Sequence, residues 1–92
     1  MTKEYIEKRD GAYFIKGSRV SLDSIVYAFL EGISPESIVQ SFPILTLEEV
    51  YGAITYYLAN KTKIDDYLKE GELLYEQQRE ASLKENKFYT FN

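Results

Sequence analysis

The chain has 92 residues, a net charge of −4, and neither Cys nor His. A chain this short forms one domain and buries only about 60–65% of its unfolded surface, so its core is small. Without Cys or His there is no disulfide framework, no thiolate chemistry, and neither the commonest general base nor the commonest metal ligand.

Taken in chain order, residues 5–20 read as extended structure. In YIEKRDGAYFI, Asp10-Gly11 sits between two stretches of β-formers. Asp-Gly favours a two-residue type I′ turn, which needs positive φ at both positions. A second turn follows at Lys16-Gly17-Ser18. A lone hairpin is marginal in water, so this one is expected to pair with a second copy or to pack on the helices that follow.

Residues 21–31, SLDSIVYAFLE, read as a helix capped by Ser21. Leu22, Ile25, Val26, Phe29 and Leu30 form its apolar stripe, and Gly32 stops it. Ser34 and Pro35 open a second helix to about Ser41, with Ile38, Val39 and Phe42 inward. Pro43 ends it. Thr46 and Glu49 make a capping box for a third helix over about 47–60, with Leu45 and Val50 as its hydrophobic staple. Its expected apolar face is Leu47, Val50, Tyr51, Ile54, Tyr57 and Leu58. Glu48, Gly52, Thr55, Tyr56 and Ala59 lie toward the other side.

From Ile64 the pattern is amphipathic: Ile64, Tyr67, Leu68, Leu74, Tyr75 and Gln78 share one helical face, interrupted by Gly71. The rear is acidic. Residues 64–92 carry four basic and seven acidic residues, against seven and eight over residues 1–63. The expected organisation is a hairpin plus helix-turn-helix core over 1–62, then a partner-binding segment over 63–92. The fold class is mainly α.

Residues 15–58 resemble the bacterial family known as domain of unknown function 433. The resemblance is carried by Gly17-Ser18-Arg19, the helix-ending Gly32, the Ile33-Ser34-Pro35-Glu36 start, the Phe42-Pro43-Ile44-Leu45-Thr46 turn and the Tyr56-Tyr57 pair. It implies a trihelical, homeodomain-like helix-turn-helix fold. It also implies a role as the VapB-like antitoxin of a type II toxin–antitoxin pair. Such an antitoxin binds and silences a PIN-like ribonuclease and commonly represses the shared operon. A homodimer or higher hetero-oligomer is expected. The tail extends some thirty residues past the matched stretch.

The chemistry in the residues themselves points away from an enzyme. Asp65-Asp66 and Glu48-Glu49 are adjacent pairs, whose side chains diverge by about 100° on a helix. Gly17-Ser18 has no nucleophile-elbow context. No catalytic residue, metal or cofactor is expected. For DNA, no Lys or Arg occurs from Val20 to Asn60, and the third helix has no Arg to grip guanine. The DNA-binding candidates are Lys8, Arg9, Lys16, Ser18 and Arg19 in the hairpin segment, with Thr55 and Tyr56 on the third helix. A solvated hairpin face is the simpler account of Lys8, Arg9, Lys16 and Arg19. The partner-binding candidates are Tyr67, Leu68, Leu74 and Tyr75, with Phe88, Tyr89 and Phe91 in the aromatic tail. The alternative to an antitoxin is a stand-alone transcriptional regulator reading operator DNA. No stretch has the roughly 20 apolar residues of a membrane span. The first residues, MTKEYIEKRD, lack the apolar core of a signal peptide, so a cytoplasmic protein is expected.

Overall fold

The computed structural model describes residues 3–90, and side-chain burial through residue 81. The protein is mainly helical with an N-terminal antiparallel hairpin, as its sequence pattern implies. The elements are β1 (Ile6–Arg9), β2 (Ala12–Ile15), α1 (Leu22–Leu30), α2 (Pro35–Ser41), α3 (Leu47–Ala59) and α4 (Lys61–Thr90). They fall into two compact units, Met1–Lys61 and Thr62–Asn92.

In the first unit the turn chemistry is the one Asp10-Gly11 favours. Asp10 has φ 52° and Gly11 φ 81°, the positive values a type I′ turn requires. The register pairs Ile6 with Ile15 and Lys8 with Tyr13 on one face, Glu7 with Phe14 and Arg9 with Ala12 on the other. Tyr13 and Ile15 are buried, so the first face is the inner one. The hairpin packs within its own chain, β2 against α1 and β1 against α3.

Three different devices end and start the helices. The N–H of Gly32 (φ 88°) donates to Phe29 O and that of Ile33 to Ala28 O, each near 3 Å. That pair of bonds is a Schellman motif, satisfying carbonyls that α1 leaves open. Ser34 Oγ accepts from Ser37 N at 3.3 Å at the start of α2, with Pro35 at the first position. The capping box of α3 is complete: Thr46 N donates to Glu49 Oε1 (2.9 Å) and Glu49 N to Thr46 Oγ1 (3.1 Å). Ser21 departs from expectation. It holds the N-cap position of α1, but its hydroxyl pairs with Ser24 Oγ at 2.9 Å and caps no backbone N–H.

The core joins the hairpin to all three helices. Ile15, Leu22, Ile25, Val26, Ile38, Val50, Ala53 and Tyr57 are essentially inaccessible to solvent. The Tyr57 ring meets Phe29 edge-on, with centroids 6.5 Å apart. Each large apolar side chain so buried contributes about 1.5–3 kcal/mol. Two expected stripes are redrawn. Leu30 is exposed on α1, and on α3 Leu47, Tyr51 and Leu58 are exposed while Ala53 takes an inner place. The inner face of α3 is centred on Val50, Ala53, Ile54 and Tyr57, about half a residue step around the helix from the expected one.

In the second unit, α4 runs unbroken through Gly71. At 1.5 Å per residue its 30 residues span about 45 Å. Ile64 and Leu68 are buried, and every residue from Lys69 to Ala81 is exposed.

Candidate functional site

The two surfaces singled out by sequence are the hairpin with α3, and α4. On the hairpin, the cations are largely invested in the fold. Lys8 lies over the Tyr13 ring at 5.3 Å, its direct cross-strand partner. The Arg9 guanidinium stacks on Phe14 at 4.2 Å, pairs with Glu7 at 3.5 Å and donates to Ser18 O. Glu7 in turn accepts from Gly17 N at 2.9 Å. Together these contacts tie the 16–18 turn to the hairpin. Ser18 stabilises the same turn, its hydroxyl donating to Ile15 O (2.9 Å) and accepting from Val20 N (3.1 Å). Lys16 and Arg19 are exposed beside it.

On α3, the two candidates point different ways. Thr55 is exposed. Tyr56 is half-buried and turned to the hairpin, its ring 6.2 Å from that of Tyr13. The sequence does not announce what lies beside it. The Tyr5 ring sits on Gly52, so close that a Cβ there would lie 2.3 Å from the ring. The Tyr5 hydroxyl donates to Glu48 Oε2 at 2.5 Å, and Lys3 Nζ reaches the same oxygen at 2.7 Å. The residues before β1 thus clip over one side of α3. The ionisations follow: the Lys3 and Tyr5 hydrogen bonds hold the Glu48 carboxyl below the usual range. The bond to Glu48 raises both the Lys3 ammonium and the Tyr5 phenol. A helical Gly four residues after a Glu was the one available hint of this clip.

The side of α3 left open carries Leu47, Tyr51, Thr55 and Leu58, with Ile44 in the preceding turn. Tyr51 OH donates to Glu36 Oε1 at 3.2 Å, which raises the phenol. Three carboxylates, Glu36, Glu48 and Glu49, stand in the first turns of α2 and α3. Phosphate would be repelled here.

A match to the family described as "Protein of unknown function (DUF433)" covers residues 6–57. The chain belongs to the DUF433 family. The match runs from β1 nearly to the end of α3, so the DUF433 part is the hairpin and its three helices. No curated protein and no solved structure is significantly similar to the chain.

Outside the DUF433 match lies α4. There Tyr67 is half-buried and Leu68 buried, whereas Leu74 and Tyr75 are 58% and 66% exposed. Leu73, about 100° around the helix from Leu74, is equally open. Phe91 and the side chains of Phe88 and Tyr89 lie outside the described residues. Arg79 and Glu76 pair at 3.7 Å along the helix surface. Among the described residues, no group of three acidic side chains could hold a metal ion, and no helix is long and apolar enough to cross a membrane.

Proposed function

We propose that this DUF433 protein is a protein-binding module of the antitoxin kind, and not an enzyme. In this reading α4 neutralises a PIN-like ribonuclease, while the hairpin and a homeodomain-like α1–α3 bundle supply a scaffold for a cytoplasmic homodimer or larger complex. The observation that carries the reading is the consecutive run Leu73-Leu74-Tyr75, each more than half exposed. Three consecutive helical residues fan out over about 200°. A flat surface can touch only one of them, so a partner that covers all three has to embrace the helix. Around them stand Glu70, Glu72 and Glu76. A ribonuclease channel has a basic rim, and this complementarity would speed encounter and set specificity.

Co-expression with a PIN-type nuclease, should one be encoded beside it, tests the reading. The full chain should relieve growth arrest, and Leu74→Asp with Tyr75→Asp should abolish relief while leaving the circular dichroism of the free chain unchanged. Full relief by that double variant would refute it. A second reading, a stand-alone regulator of its own operator, draws on the exposed Lys16 and Arg19 beside the hairpin. It requires steeply salt-dependent binding to promoter DNA without any partner.

A further inference from the structure

We propose that the outward face of α3 is a second docking surface, whose occupant is a polypeptide segment with apolar anchors and basic flanks. The proposal is independent of the reading of α4. Ile44, Leu47, Tyr51 and Leu58 are 75%, 41%, 47% and 54% exposed. From Leu47 to Leu58 the stripe covers about 16 Å, or three helical turns. Its boundaries are set by the fold: Val50, Ile54 and Tyr57 turn into the core on one side, and Tyr5 seals Gly52 on the other.

Charge selects the occupant. From Val20 to Asn60 the chain holds five carboxylates and no Lys or Arg. Glu36 borders the stripe directly through its bond to Tyr51, and Glu48 and Glu49 stand at its N-terminal end. Lys3 offsets one of these charges, and the Lys61 ammonium beyond the far end lies over the Tyr57 ring at 5.9 Å. Nucleic acid would bring phosphates onto this acidic rim and find no Arg to read bases. A second copy of the same face brings like charge against like. The stretch Ile64–Glu80 of another copy's α4 does so as well, with six acidic and two basic residues. A basic segment with apolar residues at helical spacing satisfies both the stripe and its rim, in the helix-on-groove manner.

The test uses the full ¹⁵N-labelled chain. The probes are a 14-residue Leu/Lys amphipathic peptide, its Leu/Glu counterpart and a duplex DNA of arbitrary sequence. The Leu/Lys peptide should shift the amides of Leu47, Tyr51, Thr55 and Leu58. Tyr51→Ser with Leu58→Ser should weaken it at least tenfold, with the remaining spectrum unchanged. Leu74→Asp on α4 should leave its affinity intact. The proposal is overturned if the Leu/Glu peptide or the DNA shifts the same amides. It also fails if the Leu/Lys shifts gather on α4 or spread over every carboxylate. Concentration-dependent shifts at Leu58 in the free chain would equally overturn it, by making a second copy the occupant.

Discussion

At the scale of single residues, Gly52 is where local preference and tertiary contact oppose each other. Gly in a helix interior is about 0.5–1 kcal/mol less favourable than Ala. Here the missing Cβ is the seat of the Tyr5 ring, and that ring brings its hydroxyl and Lys3 to Glu48. Gly52→Ala must therefore act in two opposite ways. In a Tyr5→Ala background the seat is empty, and the substitution should stabilise the fold by roughly 1 kcal/mol. In the native background the ring has to leave, and the gain should vanish or reverse. Urea denaturation of the four proteins of this cycle gives the coupling, expected at about 1 kcal/mol or more. Simple additivity would show that the ring does not occupy its seat in solution.

At the scale of elements, boundaries follow from short-range chemistry. Gly71→Ala tests the one local weakness in α4: an added Cβ meets nothing within 4 Å, so only helix propensity changes. A gain of about 0.5–1 kcal/mol should slow exchange of the neighbouring α4 amides about 2- to 5-fold, read by hydrogen-exchange NMR. Slower exchange confined to α3 would contradict it. The same short-range logic explains what sequence could deliver. Asp10-Gly11, Gly32, Ser34-Pro35 and Thr46/Glu49 each act over six residues or fewer, and each marks its turn, stop or start correctly. The inner face of α3 needs more. Leu47, Tyr51 and Leu58 are as apolar as Val50, Ile54 and Tyr57, and only the neighbours' positions decide which stripe goes inside. Ala53 gave no signal because it is small, and the Tyr5–Gly52 seat spans 47 residues of sequence. The candidate cations were readable as a cluster. Their engagement with Phe14, Tyr13 and Ser18 depends on strand register, which composition does not reveal.

At the scale of the whole molecule, the buried core and the fully exposed helix sit in different stretches of chain. The residues buried most completely lie between Ile15 and Ile64, whereas from Lys69 to Ala81 nothing is buried. A helical stretch with no buried face is held by its backbone bonds and surface pairs such as Arg79–Glu76; each such pair contributes only a few tenths of a kcal/mol. Amides between Leu73 and Ala81 should therefore exchange through local opening, orders of magnitude faster than those of Val50 to Tyr57, which open only with the core. The proposed partner, by binding the closed helix and not the open one, would change this, and protection would rise with its concentration. Hydrogen-exchange mass spectrometry of the chain alone and with the proposed nuclease partner reads both states. Strong protection of Leu73–Ala81 in the free chain would mean that the helix is already covered. It would remove the physical reason for assigning it a partner.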